Sequence, residues 1–164
     1  MKKLLFTFSL LFFCLFTQAQ TTQVYIVRHA EKDLSDKGNT NPNLSEAGKQ
    51  RAEKLLAELK KIQFSAAYST PFNRTQQTLE PLALFNKIGI TDYDPRNIKG
   101  FVEEILSNHS GENIIIVGHS NTVLETVEAF GAKKPFASIA EDDYANLFHL
   151  TIEKDKVTLQ SSKY

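Results

Sequence analysis

The chain has 164 residues, 41% of them apolar and 23% charged, with 19 basic against 19 acidic side chains. That length suits one domain, and the composition is that of an ordinary globular protein. A formal net charge of zero excludes a global basic field that would draw in nucleic acid or an anionic membrane, so affinity for an anion has to come from a few placed cations.

Met1-Lys2-Lys3 is a short basic start, Leu4 to Phe16 is almost wholly apolar, and Thr17-Gln18-Ala19 offers small residues where a signal peptidase reads. This pattern predicts a secretory signal peptide over 1–19 and a single domain over 20–164. A transmembrane anchor is the rival reading, but the apolar run falls short of the roughly 20 residues a spanning helix needs. A lipoprotein acylated on Cys14 is a weaker rival, because Phe12 and Phe13 are bulky for such a cleavage site. Cys14 is the only cysteine. Cleavage after Ala19 therefore leaves a mature chain with no disulfide, no thiol nucleophile and no cysteine-based metal site, as suits the periplasm or the extracellular space. Loss of Lys2 and Lys3 leaves it mildly acidic.

From there, strand and helix alternate. Gln23 to Val27 is β-branched and aromatic and reads as a buried strand ending at Arg28-His29. Asp33 to Asn43 is a polar loop. Ser45 is an N-cap, and Ala52, Leu55, Leu56, Leu59 and Ile62 follow helical spacing. Phe64 to Tyr68 is a second strand. Thr70 before Pro71 opens a helix through Arg74 and Thr78, which Pro81 kinks or ends. Ile88 to Tyr93 is a third strand, Asn97 to Asn108 a helix stopped at Gly111, and Asn113 to Val117 a strand apolar enough to be buried on both faces. Asn121 to Phe130 is a helix capped by Gly131. Leu147 to Ile152 and Val157 to Gln160 form a closing hairpin around Lys154-Asp155-Lys156. No internal repeat or low-complexity segment interrupts this order. It predicts an α/β fold, a three-layer α/β/α sandwich whose mainly parallel sheet ends in a C-terminal antiparallel hairpin.

Ligands of open α/β sheets bind beyond the carboxyl ends of the strands. Three strands here end in Arg28-His29-Ala30-Glu31, in Ser69-Thr70 with Arg74 one turn on, and in Gly118-His119-Ser120. Two arginines supply planar donor forks that match phosphate oxygens. Ser120 and Asn121 open a helix whose free N–H groups favour an anion. A neutral imidazole attacks phosphorus and carries the phosphoryl group, and stabilised charge on the equatorial oxygens is then most of the catalysis.

Val27-Arg28-His29-Ala30-Glu31 resembles the Arg-His-Gly-Glu signature of the histidine phosphatase superfamily. Ser69 to Thr78 resembles its Ser-Pro…Arg…Gln-Thr helix start, and Val117-Gly118-His119-Ser120-Asn121 its second histidine motif. The resemblance implies that His29 is the nucleophile and that Arg28, Arg74 and His119 complete the phosphate pocket. It implies a metal-independent phosphatase with no cofactor. Ala30 and Ser120 replace usual glycines. The family's general acid has no clear counterpart: Asp94 is the preferred candidate, beside Asp92 and the more distant Glu103 and Glu104, while Asp94-Pro95 equally starts a turn. Members acting on phosphohistidine can lack this acid, because imidazole leaves more easily than an alkoxide.

The short interval from Arg74 to His119 leaves no room for a large lid. An open site suits a phosphoprotein or small phosphomonoesters, with no nucleic-acid partner and no membrane association after signal cleavage. A phosphate-binding module without turnover and a phosphoglycerate mutase are the competing functions. Ser120 and Asn121 are read as substrate contacts, as are Glu31 and Lys32 in the loop that borders the site. His109 reads as a helix C-cap, His149 as strand packing, and Lys60-Lys61 as a solvated helix end. No two histidines sit at a short metal-ligand spacing.

Overall fold

The computed structural model describes residues 20–154 and 156–164; the predicted signal peptide lies outside them. Six strands form one sheet in the order β3-β2-β4-β1-β5-β6. β1 (Thr22–Arg28), β2 (Ala66–Ser69), β3 (Ile90–Asp92) and β4 (Asn113–Gly118) run parallel, and β5 (Asn146–Glu153) and β6 (Lys156–Lys163) form the antiparallel end. The helices are α1 (Glu46–Leu59), α2 (Asn73–Asn86), α3 (Ile98–Asn108) and α4 (Val123–Ala129). The sandwich expected from the alternation is borne out. Among the described residues no helix is long and apolar enough to cross a membrane.

Alternation along the central strands builds the two sides of the core. Val24 and Ile26 of β1 and Ile114 and Ile116 of β4 face α3 and α4, where Phe101, Val102, Ile105, Leu124 and Val127 pack on them. Tyr25, Val27, Ile115 and Val117 face the other way, onto Leu55 and Leu59 of α1 and Leu79, Leu82 and Ala83 of α2. Both strands are buried on both faces, which is why they read as unbroken apolar runs rather than as alternating ones. β6 is the polar edge, alternately exposed and half-buried over most of its length, which discourages pairing with other chains.

The order of strands sets the site. β4 is inserted between β1 and β2, and the registers Arg28↔Gly118 and Ser69↔Val117 bring three strand ends level. Ser45 caps α1 as predicted, its Oγ accepting from the Gly48 N–H at 3.1 Å. Gly48 is obligatory, since any Cβ there would collide with the Glu31 backbone.

Four boundaries differ notably from expectation, and β6 runs past the expected Gln160 to Lys163. The second strand starts at Ala66, because Phe64 is buried in the turn before it and gives its N–H to Asn86 Oδ1 at 2.9 Å. α2 begins at Asn73, with Phe72 rather than Thr70 at its N-cap, and Pro81 neither ends it nor prevents it from reaching Asn86, where left-handed Lys87 (φ 57°) stops it. Pro81 removes one helical N–H, but a continuous buried stripe of Thr75, Thr78, Leu79, Leu82, Ala83 and Asn86 holds the helix on the sheet. β3 is confined to three residues by its short partner β2. α4 starts at Val123, so Ser120 and Asn121 lie in the preceding turn and open no helix.

Candidate active site

Arg28 and His29 leave the end of β1 into a cleft of about 350 Å³, lined also by Lys32, Phe72, Arg74, His119, Ser120, Asn121 and Glu141. The His29 N–H donates to the Gly118 carbonyl at 2.9 Å, tying the first histidine to the strand that carries the second. The Ala30 N–H donates to Thr78 Oγ1 at 2.9 Å, and that hydroxyl donates to the Arg74 carbonyl at 2.7 Å, so the first loop is fastened to the helix that supplies Arg74. Gly118 permits this crowding: a Cβ would come within 2.9 Å of the Tyr93 hydroxyl.

The hydrogen bonds fix both imidazole tautomers. His29 Nδ1 lies 2.8 Å from the Ala30 carbonyl, an acceptor only, so Nδ1 carries the proton and Nε2 keeps its lone pair. His119 Nε2 lies 2.8 Å from Thr70 Oγ1. Thr75 Oγ1 donates to the Thr70 and Phe72 carbonyls, both at 2.8 Å. Thr70 Oγ1 therefore spends its own proton on Thr75 Oγ1, 3.0 Å away, and accepts from His119 Nε2–H. Nδ1 of His119 is left to face the Arg74 Nη2, 3.5 Å distant. Thr70 is thus a positioning residue for His119. The helix-start reading concealed this role.

Burial pushes His29 down to about 3, with His119, Arg74 and Arg28 acting in the same direction against the Ala30 hydrogen bond. Burial, with Arg74 and Arg28 next, pushes His119 down to about 4. Both rings are neutral at neutral pH, as a nitrogen nucleophile requires. The sign for stability follows. An unfolded imidazole titrates near 6.5, so below that pH the unfolded chain binds protons that the folded chain refuses. Stability is fully held above about pH 6.5 and lost as pH falls toward the folded values. We expect the melting temperature to drop between pH 7 and pH 4, and the double variant His29→Asn/His119→Asn to flatten part of that slope. An unchanged slope in the double variant would refute the assignment.

Arg28 is 2% exposed. Its Nη1 donates to the Ala140 carbonyl at 2.8 Å and to the Asp143 carbonyl at 3.3 Å, its Nη2 pairs with Glu141 at 2.9 Å, and its guanidinium carbon sits 4.3 Å from the Tyr144 ring centroid. Arg74 lies over Phe72 at 4.5 Å. Each arginine keeps a buried Nε–H without a partner. Such orphans cost about 1–3 kcal/mol each, and retained polar strain of this kind marks a working site rather than a packed one.

Ser120 and Asn121 line the cleft as expected, with Ser120 Oγ donating to Glu141 at 2.9 Å. Two other expected residues are not brought there. Glu31 turns its carboxylate to Arg51 in a bidentate pair at 2.6–2.9 Å, whereas Lys32, the other contact read in that loop, does line the cleft. Asp94 is held by Arg96 at 2.9 Å in the neighbouring hollow, and Pro95 reaches the cleft instead. The Arg96 side chain holds the Asp94 carboxyl below the usual range. His109 caps α3 and bonds Glu112 and Tyr68, and His149 stacks on Tyr25, so both are structural as read from the sequence. Among the described residues no group of three or more His, Cys, Asp and Glu side chains is placed to hold a metal ion.

Two strand ends and the first turn of α2 thus bring two imidazoles and two guanidinium groups into one cleft at the carboxyl end of an α/β sheet. Comparison with known proteins narrows the class. Residues 24–96 match the model of the histidine phosphatase superfamily (branch 1). A 2,3-bisphosphoglycerate-dependent phosphoglycerate mutase of Thermoplasma acidophilum is 38% identical over 73 residues, which is 41% of this chain and 36% of that protein; the match spans about a third of the relative's length. Among solved structures, the protein histidine phosphatase SixA complexed with tungstate superposes with a TM-score of 0.70 at 17% identity, covering 86% of this chain and 96% of that one. A mycobacterial glucosyl-3-phosphoglycerate phosphatase gives 0.68 at 12% identity, over 88% and 98%. A phosphoserine phosphatase of Entamoeba histolytica gives 0.64 at 13%, over 85% and 95%. The sequence likeness to the histidine phosphatase superfamily therefore covers residues 24–96, and the likeness of fold to these solved structures covers nearly all the described residues.

Proposed function

We propose that this protein is an exported, metal-independent phosphatase that works through a phosphohistidine on His29. The carrying observation is the convergence of Arg28, His29, Arg74 and His119 in one cleft, with His29 Nε2 unprotonated. His29 Nε2 forms a bond to phosphorus while the bond to the leaving group breaks with its electron pair. The leaving group takes up a proton, and water then displaces the imidazole, giving inorganic phosphate and restoring His29. The two guanidinium groups neutralise the equatorial oxygens. A phosphoryl dianion raises the pKa of His119, so Nδ1 gains a proton and donates to an oxygen of the transferring group.

The proton for the leaving group sets the substrate class. Asp94, the acid favoured from the sequence, is ionised and paired with Arg96. No carboxyl in the cleft is held in its protonated form. The site therefore favours leaving groups that need little help, and phosphohistidine above alkyl phosphates. The name of the structurally similar SixA, a protein histidine phosphatase, supports the same choice. A binding module that holds phosphate without turning it over is the second reading, favoured by the same missing donor. The mutase reading rests on a relative matched over only 36% of its length.

A panel of p-nitrophenyl phosphate, an alkyl phosphate, phosphoramidate and a phosphohistidine peptide, assayed with a chelator present, tests this. We expect turnover of the nitrogen-linked phosphates and of p-nitrophenyl phosphate, and little of the alkyl ester. Saturable phosphate binding with no turnover in any lane would establish the binding module instead. Transfer from 3-phosphoglycerate that depends on a bisphosphate primer would establish the mutase.

A further inference from the structure

Glu141 is the acidic side chain in the cleft lining, among otherwise cationic, neutral polar and apolar groups. It comes from the segment before β5, more than 110 residues from Arg28 along the chain. One carboxylate oxygen lies 2.9 Å from Arg28 Nη2 and the other 2.9 Å from Ser120 Oγ. Its side chain is 80% exposed, while that of Arg28 is 2% exposed. These are two donors that an incoming phosphoryl oxygen also needs.

Arg28 does not depend on Glu141 for its position. Nη1 is held by the Ala140 and Asp143 carbonyls, and the guanidinium plane rests against Tyr144. The carboxylate therefore adds no fixture that the loop backbone lacks. Being largely solvated, it costs little to displace. A carboxylate and a phosphoryl group present the same kind of oxygen acceptor to an arginine fork. Once a dianion takes Arg28, the remaining carboxylate is repelled from the pocket.

We propose that Glu141 is an internal competitor for the phosphoryl pocket, holding Arg28 Nη2 and Ser120 Oγ when the pocket is empty and yielding both to a phosphoryl oxygen. This rests on the pocket binding phosphoryl groups, as proposed above. Affinity for phosphate is thereby set below what the cations alone would give.

Titration calorimetry of inorganic phosphate into the wild-type protein and Glu141→Gln tests it. The amide keeps size and hydrogen-bonding reach but loses the charge. We expect the phosphate Kd to fall about fivefold in Glu141→Gln, with KM for p-nitrophenyl phosphate falling alongside it. Glu141→Asp, which keeps the charge on a shorter arm, is expected to lie between the two. Wild-type binding that Glu141→Gln leaves unchanged or weaker overturns the competitor while leaving the pocket intact. An unchanged Kd with a lower kcat on esters would make Glu141 a proton donor and also overturn it. No phosphate binding by either protein would remove the pocket reading and this inference together.

Discussion

His29→Asn is expected to abolish turnover, by about 10⁴-fold or more for a lost covalent nucleophile, while the protein still folds and still binds inorganic phosphate. No other nitrogen in the cleft replaces Nε2 of His29. His119 commits its Nε2–H to Thr70, and its Nδ1 faces Arg74. The guanidinium nitrogens carry no lone pair to give. Asparagine is the informative replacement, because its side-chain amide can still donate to the Ala30 carbonyl that now accepts from Nδ1. Intact-mass measurement after quenching without acid separates chemistry from binding. The wild type is expected to gain one phosphoryl group from phosphoramidate, and the variant none. Normal turnover by His29→Asn would end the phosphohistidine mechanism, whatever the substrate proves to be.

Much of this arrangement was legible in the sequence because it is local. Arg28-His29 and Gly118-His119 sit directly after unbroken apolar runs, and such runs are strands covered on both faces. The hairpin and the Ser45 cap are equally short-range. The insertion of β4 between β1 and β2 was not legible. Apolar runs mark central strands without giving their order, and here that order is what makes His29 and His119 neighbours. Arg74 was placed in the pocket by resemblance alone, since nothing local in its helix shows that it faces His119. Thr70 looked like a helix opening because Pro71 follows it, yet its hydroxyl is turned inward to His119. Glu31 looked like a contact because its loop borders the site; Ser45 bonds its carbonyl and Arg51 takes its carboxylate, which turns it away. Glu141 and Tyr144 had no signal at all. Glu141-Asp142-Asp143 has the composition of a solvated turn, and only the long-range pairing of β5 with β1 folds it over Arg28.

The same loop makes Arg28 the site's second point of failure. Arg28→Lys is expected to lower kcat/KM by about 10²–10³-fold, close to Arg28→Ala, because an arginine fork with a stacked face is not replaceable by an ammonium. Arg28 does four things at once. It donates to two carbonyls, pairs with an anion through a second nitrogen, and lays its plane on Tyr144. A single ammonium nitrogen reaching the Ala140 carbonyl has no second nitrogen to leave for a phosphoryl oxygen. At a position this buried, a lysine also loses its proton more readily, because desolvation penalises the charged form. The loss is expected in kcat as well as KM, since the equatorial oxygens gain charge on the way to the transition state. A melting temperature near that of the wild type would show that the loop still closes over the site. Near-normal kcat/KM for Arg28→Lys would mean that a point charge is sufficient, and the account of Arg28 as a fork shared between the loop and a phosphoryl oxygen would have to be given up.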